Sequence, residues 1–418
     1  MKISKAKILL VDSYSLGAGF SSVLNGLGYE CLHVRSSKNL PEKLQNSFIE
    51  TNFSKCFCVD AQGINNILNS LEKENIQLVM AGSEPGVETA DIIADYLGIS
   101  YNNFSLSAAR RNKYLMHESL KKANIPSMNH FCSSSLIELQ KWIGTNISGK
   151  CVLKPCSGGG GQNVFICESE KEVENAYKQI IGTGNLFNQP NHEVLAQGFL
   201  SGQEYIVNSV SRNGKPYFTD IWEINKGFFE QHAVCSYADS VNVDSDVWKI
   251  LTSYAESALH ALGIKFGPAH CEIMMTTSGP ILIECGARFE GAVDMAAIAS
   301  HYETNQFLAT IDACFSPEKF DALLRKPRHP NPEIMRHIYL MSHSDGLLRR
   351  NPDFQEIAQI QSFFSLTSSL CAGMKLEKTI DLFKSPGFAY LRGHPKKMKE
   401  DYELFRELES RIYNSALI

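Results

Sequence analysis

Residues 150–167 read KCVLKPCSGGGGQNVFIC, and residues 267–291 read GPAHCEIMMTTSGPILIECGARFEG. Each stretch consists of two short apolar runs around a glycine-containing turn, a pattern typical of a β-hairpin. The first carries Lys154 four residues before a run of four glycines, Gly158 to Gly161. The second carries one glutamate in each run, Glu272 and Glu284. These two predicted hairpins decide both the expected fold and the expected chemistry.

The glycine run predicts a loop that contacts phosphate. Four glycines let the backbone approach a ligand closely, and consecutive amides in such a turn can form a concave donor surface for phosphate oxygens. Lys154 brings a cation to the same place. No GK[ST] motif follows and no helix starts there, so the loop is not of the Walker type. A surface hairpin beside an unrelated lysine would give the same local pattern, and both interpretations stay open at this point.

The two glutamates predict a divalent metal site. They are twelve residues apart around a glycine–proline turn, which can place them side by side on one sheet face. Unpaired glutamates inside apolar strands are costly to bury, and a shared cation removes that cost. Hard oxygen ligands suit magnesium. Arg288 can either form a salt bridge with a glutamate or bind a substrate carboxylate or a phosphoryl group through its bidentate fork.

The first hundred residues alternate strand and helix signals. The strands are predicted at KILLVDS (7–13), ECLHV (30–34), KCFCVDA (55–61) and QLVMAG (77–82). Such alternation predicts a parallel sheet with helices on both faces and ligands at the carboxyl ends of the strands. Gly17 and Gly19 follow the first strand, but the full dinucleotide fingerprint is absent. Farther along, Ser107 is predicted to cap a helix, and residues 317–332 are expected to link to a last lobe.

Composition narrows the functional class. The chain has 418 residues, 44% of them hydrophobic, and a net charge of −5. This balance predicts a globular protein that binds neither nucleic acid nor an anionic membrane. The twelve cysteines are scattered, without any CxxC pair, and are expected to be reduced thiols. No signal peptide or membrane span is visible, so a cytoplasmic location is expected.

The order of these features resembles that of the ATP-grasp superfamily. The shared order is a lysine, a lysine with a glycine loop, a hinge, two strand glutamates and an arginine. The segments TDIWEINK, GPAHCEIM and LIECGARFEG resemble the branch with the L-amino-acid (dipeptide) ligases. The resemblance implies an α/β ATP-grasp fold with a Rossmann-like domain (1–108), a small lid subdomain (109–196), a large subdomain with the metal site (197–316) and a C-terminal lobe (317–418).

The resemblance also implies roles for individual residues. The phosphates of ATP would contact Lys113, the catalytic Lys154 and the loop of Ser157, Gly158, Gly159, Gly160, Gly161 and Gln162. Gln197, Phe199 and Leu200 would form the adenine-binding hinge, and Glu204 would hold the ribose. Glu272 and Glu284 would bind magnesium, with manganese as an alternative. Arg288 would be catalytic and hold the acyl phosphate. Candidate substrate contacts are Glu230, His232 and Gly291.

Two positions depart from the common family pattern. Gln197 stands where an acidic residue often opens the hinge, and Gly286 stands where an asparagine usually follows the second metal glutamate. The missing asparagine means that one metal ligand is absent or comes from elsewhere. His270, just before the first metal glutamate, is expected to be a core histidine with its hydrogen bonds satisfied.

The implied activity is ligation of a carboxylate to an amine, with amino acids as the expected substrates. ATP would activate the carboxylate as an acyl phosphate, and an amine would then displace the phosphate. The alternatives are a biotin-carboxylase-like or purine-pathway ligase, and a nucleotide-binding module without turnover. A homodimer through the N-terminal lobe is a further expectation from the family.

Overall fold

The computed structural model describes residues 7–159, 161–185, 187–229 and 232–417. Within these ranges the chain forms two four-stranded sheets, one eight-stranded sheet and a two-stranded ribbon. The predicted α/β architecture is observed, with a parallel sheet at the N-terminus and a large antiparallel sheet later in the chain.

The N-terminal sheet is parallel, with strand order β3-β2-β1-β4. Its strands are β1 (Lys7–Val11), β2 (Glu30–Arg35), β3 (Lys55–Cys58) and β4 (Ile76–Ala81). Its helices are α1 (Leu16–Gly26), α2 (Glu42–Gln45), α3 (Val59–Gln62), α4 (Ile64–Leu71) and α5 (Val87–Tyr96). The central strand β1 is buried on both faces, as its continuous apolar run KILLV predicts. The four strands predicted for this region are all present.

The second four-stranded sheet carries the first hairpin. Its antiparallel order is β5-β8-β6-β7. The strands are β5 (His130–Ser133), β6 (Cys151–Pro155), β7 (Phe165–Cys167) and β8 (Val194–Gly198). The helices of this region are α6 (Lys113–Lys122), α7 (Leu136–Asn146) and α8 (Glu170–Ile180). The predicted β6–β7 hairpin around the glycine run is confirmed.

Helix α6 begins later than predicted. Ser107 does not cap it, because its hydroxyl donates to Asp91 and residues 108–110 form a separate 3₁₀ turn. The cap is Asn112, whose side chain accepts a hydrogen bond from the Leu115 amide at 3.1 Å. The later start makes Lys113 the first residue of the helix.

The eight-stranded sheet carries the second hairpin. Its order is β13-β12-β9-β10-β11-β14-β18-β16. The strands, with those of the ribbon, are β9 (Gln203–Arg212), β10 (Lys215–Phe229), β11 (His232–Ser240), β12 (Gly267–Thr276), β13 (Gly279–Gly286), β14 (Ile334–Tyr339), β15 (Gly346–Leu347), β16 (Phe363–Ser368), β17 (Lys375–Leu376) and β18 (Gly387–Gly393). The remaining helices are α9 (Asp246–Ala261), α10 (Met295–Tyr302), α11 (Gln306–Phe315), α12 (Pro317–Arg325) and α13 (Pro395–Ala416).

The C-terminal part of the chain continues this sheet. Strand β14 pairs with β11, β18 with β14 and β16 with β18, so these three strands extend the sheet that holds the glutamates, while β15 and β17 form the ribbon. The stretch expected to be a linker, 317–332, begins instead with helix α12. Pro317 suits the first turn of a helix because its missing N–H would lack a partner there anyway.

Two sequence-based expectations about the whole chain can be compared with the structure. The twelve cysteines are free thiols, in agreement with the prediction. Across residues 7–159, 161–185, 187–229 and 232–417, the helices are too short or too polar to cross a membrane.

Candidate active site

The two strand glutamates face each other across the β12–β13 hairpin. Glu272 pairs directly with Glu284 in the antiparallel register. Directly opposed residues share a sheet face, so both carboxylates lie on the same side, while the neighbouring Cys271 and Cys285 are buried in the core. The side chain of Glu272 is 36% exposed and that of Glu284 is 16% exposed. The pair therefore lines a cleft that solvent can enter.

Two lysines from the other half of the chain reach this cleft. The Nζ of Lys113 lies 3.0 Å from a carboxylate oxygen of Glu284 and donates to the carbonyl of Gly158 at 3.0 Å. Lys154 is almost fully buried on β6, next to the glycine loop. Burial is the main cause that lowers the pKa of Lys154 to about 8, and the charge of Lys113 lowers it further. The carboxylates of Glu284 and Glu272 partly oppose that decrease.

The glycine loop is held by other segments where it begins. The amide of Lys113 donates to the carbonyl of Cys156, and the side chain of Asn185 donates to the carbonyl of Ser157 at 3.4 Å. Gly158 and Gly161 have φ values of 150° and 76°, in the region that favours glycine. Gln162 closes the turn with a bond from its amide to Gly159. Gly160 was also predicted to belong to this loop, but it lies outside the described residues.

The predicted hinge comprises the end of β8, with Gln197, and the residues just after it. The side chain of Gln197 is buried, and its Nε2 has no hydrogen-bond partner among the described residues. The Phe199 amide donates to the Lys150 carbonyl at 3.2 Å, while the Phe199 ring is 42% exposed. Leu200 follows in the turn that leads to β9. Glu204, predicted to contact ribose, is paired with Lys226 at 2.6 Å.

Arg288 is paired with a glutamate that sequence reasoning did not single out. Its Nε lies 2.9 Å from a carboxylate oxygen of Glu84, which follows β4 in the N-terminal sheet. A Cβ atom added at Gly286 would lie 2.8 Å from the same oxygen of Glu84 and 3.2 Å from Arg288 Nε. The Glu84–Arg288 pair thus fills the space beside Glu272 and Glu284 where an asparagine side chain would need to stand.

A buried polar network lies behind Glu272. His270 Nδ1 is 3.0 Å from Asn208 Oδ1, and the Asn208 amide donates to both Asp220 and Glu290. Burial raises the pKa of Glu290 to about 7. Burial also opposes ionisation of Glu272, but the His270 ring, 3.7 Å away, and nearby lysines outweigh it and lower the Glu272 pKa to about 2. His270 is therefore a buried histidine, as predicted, with Nδ1 hydrogen-bonded to Asn208 and Nε2 facing Glu272.

Three predicted substrate contacts have different outcomes. A Cβ atom at Gly291 would lie 3.9 Å from Ser15 Oγ, so this glycine faces the loop after β1. Glu230 lies outside the described residues. His232 begins β11 opposite Phe229, and only its backbone is described. The structure thus places Gly291 beside the N-terminal sheet and provides no test of the other two positions.

The architecture of the chain agrees with that of known structures. The sequence profile described as the ATP-grasp domain matches residues 147–295. The structure of an L-amino acid ligase from Bacillus licheniformis superposes with a TM-score of 0.74, at 18% identity over 97% of each chain. An N5-carboxyaminoimidazole synthase from Aspergillus clavatus, solved with ADP, superposes with a TM-score of 0.69 at 17% identity, covering 98% of this chain and 100% of the other. Fold and cleft together define the ATP-grasp class.

The sequence relatives narrow the class. Dapdiamide A synthase of Enterobacter agglomerans is 32% identical over 424 residues, which cover 99% of this chain and 98% of the relative. The L-arginine-specific L-amino acid ligase of Bacillus subtilis is 23% identical over 205 residues, 49% of each chain. The chain belongs to the ATP-grasp superfamily and, within it, to the family of ADP-forming carboxylate–amine ligases that includes dapdiamide A synthase. The predicted enzyme class is confirmed.

Proposed function

We propose that the enzyme joins the carboxylate of one amino acid, or of an amino-acid-like acid, to the amine of a second amino acid. ATP is converted to ADP and phosphate through an acyl phosphate. The observation that carries this proposal is the meeting of Lys113 and Lys154 with Glu272 and Glu284 in one cleft beneath the glycine loop. The amino acid substrates are inferred from the names of the relatives, a dapdiamide synthase and an L-amino acid ligase.

The nucleotide would occupy the groove between the two sheets that carry the hairpins. The buried, unpartnered amide of Gln197 is suited to the edge of adenine, with the backbone at Phe199 and Leu200 beside the base. Glu204 would accept the ribose hydroxyls after giving up part of its bond with Lys226. Lys113, Lys154 and the amides of residues 157–162 would contact the phosphates, where oriented donors and cations stabilise developing charge.

The two strand glutamates fit a magnesium ion. They face each other, they are solvent accessible, and hard carboxylate oxygens are the ligands that magnesium prefers. Manganese has the same ligand preference. When bound, the ion would neutralise the charge of the phosphates. The low pKa of Glu272, about 2, keeps that carboxylate ionised at neutral pH, as a ligand must be.

The residues of the chain would support two chemical steps. In the first, the lysines would hold the triphosphate in line while the substrate carboxylate attacks the γ-phosphorus, the bond to the β-phosphate oxygen breaks and ADP leaves. In the second, the amine attacks the acyl carbon, and Arg288 stabilises the oxyanion before phosphate leaves. Glu84, 2.9 Å from Arg288, is the carboxylate placed to accept the proton of the amine. The glycine loop would exclude water, which otherwise hydrolyses the acyl phosphate.

A substrate screen tests this function. Phosphate release is measured with magnesium and ATP against all pairs of proteinogenic amino acids, and the products are identified by mass spectrometry. We expect ADP formation that needs both amino acids and a product lighter than their sum by one water. A bicarbonate arm is included, because bicarbonate-dependent turnover without an amide product would support the biotin-carboxylase-like alternative instead. If no pair of amino acids supports ADP formation, the proposal is contradicted.

A further inference from the structure

The strand order of the N-terminal sheet predicts a crevice that has no role in the proposed ATP site. The chain runs from β1 outward to β2 and β3 and then returns to β4 on the other side of β1. In open α/β sheets, ligands bind outside the carboxyl ends of the strands at such a switch point. The loops after β1 and β4 meet there at close range, since a Cβ atom at Gly86 would lie 2.5 Å from the Val11 carbonyl.

A buried arginine lies at this crevice with most of its hydrogen-bonding capacity unused. Arg111 is 6% exposed, and its Nη1 donates to the Pro85 carbonyl in the loop after β4 at 3.3 Å. Its Nε lies 3.7 Å from Glu84, beyond hydrogen-bond distance. Among the described residues, Nε and Nη2 have no partner. The guanidinium also lies over the ring of Phe187, 5.2 Å from its centroid.

The N–H groups of Arg111 are not matched by the carboxylates around it. A buried guanidinium normally has its N–H groups paired, because an unpaired buried charge is costly. Glu84 is the nearest carboxylate, but its other oxygen already bonds to Arg288 at 2.9 Å. Asp12, buried after β1, adds a second negative charge near Arg111, but its carboxylate accepts hydrogen bonds from Ser36 and none from Arg111. A carboxylate supplied by a ligand would match Nε and Nη2 of Arg111 by bidentate pairing.

We propose that Arg111 binds the α-carboxylate of the amino acid that supplies the amine. This inference rests on the proposed function. In an α-amino acid the nitrogen and the carboxylate carbon are about 2.5 Å apart, because they are joined through one Cα. A carboxylate on Arg111 therefore leaves the amine beside Glu84, on the side where Arg288 would hold the acyl group. Arg111 is in this account a substrate-binding residue that selects for a free carboxylate.

The neighbouring arginine provides a matched control. Arg110 is fully buried and donates to Asp91, to the Asn103 carbonyl and to the Leu262 carbonyl at 2.7–3.0 Å. Only the Nε of Arg110 lacks a partner among the described residues, and Arg110→Gln should lower the Tm of the free protein because it breaks a buried ion pair with Asp91. Arg111→Gln should leave the Tm unchanged or raise it, because it removes a buried charge whose Nε and Nη2 have no hydrogen-bond partner among those residues. A structural role for Arg111 predicts a loss of Tm in both variants.

The decisive measurement is selectivity between amino acids and their amides. With the substrate pair from the screen, the wild type should prefer the acceptor amino acid over its carboxamide by about 10²-fold in kcat/KM. Arg111→Gln should lose this preference, raise the acceptor KM by a similar factor, and leave the Kd of Mg·ADP within about twofold. Arg111→Lys should recover part of the preference. Retained selectivity in Arg111→Gln, or a KM increase confined to the acyl donor, would overturn the proposal.

A binding experiment tests this proposal independently of the proposed function. The Tm of each protein is measured with a pool of millimolar L-amino acids and with the matching pool of amino acid amides. We expect the acids, and not the amides, to raise the Tm of the wild type, and Arg111→Gln to lose that increase. This result would support the carboxylate site even if no pair yielded ADP. No shift in the wild type, or an equal shift in the variant, would overturn it.

Discussion

The two hairpins of the active site use glycine for opposite reasons. In the β6–β7 hairpin, Gly158 and Gly161 have positive φ values, and a Cβ atom added at either would meet nothing within 4 Å. In the β12–β13 hairpin, a Cβ atom at Gly286 would lie 2.8 Å from Glu84. The first hairpin needs glycine for its backbone conformation, and the second needs it for space.

The two hairpins are therefore suited to different tasks in the candidate site. The β12–β13 hairpin lies in an eight-stranded sheet, so the register fixes Glu272 against Glu284. The β6–β7 hairpin belongs to a four-stranded sheet and ends in an open loop. A metal site needs ligands held in fixed geometry, whereas a loop over phosphates needs unobstructed amides. The rigid hairpin would hold the metal, and the open one would cover the nucleotide.

The largest expected effect comes from removing a charge of the rigid hairpin. Glu284→Gln should lower ADP formation about 10³-fold, because the metal loses a carboxylate ligand. Lys154→Ala should have an effect of similar size by removing a phosphate contact. The measurement is steady-state ADP release with the pair from the screen. Glu256→Gln, on the exposed face of α9, is the control and should keep full activity. More than a tenth of wild-type activity in Glu284→Gln would exclude Glu284 as a metal ligand.

The next effect comes from filling the space at Gly286. Gly286→Asn should destabilise the protein by about 1–3 kcal/mol, because the added side chain overlaps the Glu84–Arg288 pair. Activity should fall about 10²-fold as Arg288 is displaced. Urea unfolding measures the change in stability, and ADP release measures the change in activity. Gly144→Ala, in helix α7 with nothing near its Cβ position, should instead stabilise by about 0.5–1 kcal/mol. An unchanged stability of Gly286→Asn would show that the pair is not constrained there.

A smaller effect is expected in the open loop. Gly161→Ala should cost about 1–2 kcal/mol of backbone strain at φ 76°, and the KM for ATP should rise about tenfold. Gly98→Ala is a matched control, because Gly98 has a φ of 67° and equally free space but lies after α5. It should lose similar stability without any change in the KM for ATP. Equal KM values in both variants would argue against a nucleotide contact by the loop.

The smallest expected effect is the uptake of about one proton on nucleotide binding. The pKa of Lys154 is about 8, below its usual 10.5, mainly because of burial. A triphosphate favours the charged lysine, so binding of Mg·ADP near pH 9 should take up close to one proton. Calorimetry in two buffers of different ionisation enthalpy measures this uptake, which should vanish in Lys154→Arg. The lowered pKa of Lys154 also affects folding. Between about pH 8 and 10.5 the unfolded chain binds more protons than the folded chain, so the cost of burying Lys154 decreases as the pH rises through that range.

Features that depend on local sequence pattern could be predicted from the sequence. The apolar runs around KPCSGGGG and around the turn at 277–280 predicted both hairpins, and the spacing of Glu272 and Glu284 predicted that they share a sheet face. The β-α alternation predicted the parallel sheet. Family resemblance supplied the roles of Lys113 and Gln197, which no local pattern indicates, and the family itself is confirmed. Those roles remain predictions.

What could not be predicted depends on contacts between distant segments. Glu84 and Arg288 are 204 residues apart in the chain, so their pairing becomes visible only once the two sheets are placed together. The unpartnered N–H groups of Arg111 likewise result from tertiary burial, because an RR pair in a polar helical segment looks like solvated surface. The start of α6 was misplaced because Ser107, a good cap by type, bonds to Asp91 instead.

The most direct test of the central claim is a crystal structure with Mg·ADP. One magnesium ion should lie about 2.1 Å from oxygens of both Glu272 and Glu284, with Lys154 Nζ within about 3 Å of a phosphate oxygen. The amides of residues 157–162 should contact the same phosphates. A nucleotide bound in another cavity, or in this cleft with the two glutamates still facing only protein cations, would contradict the account.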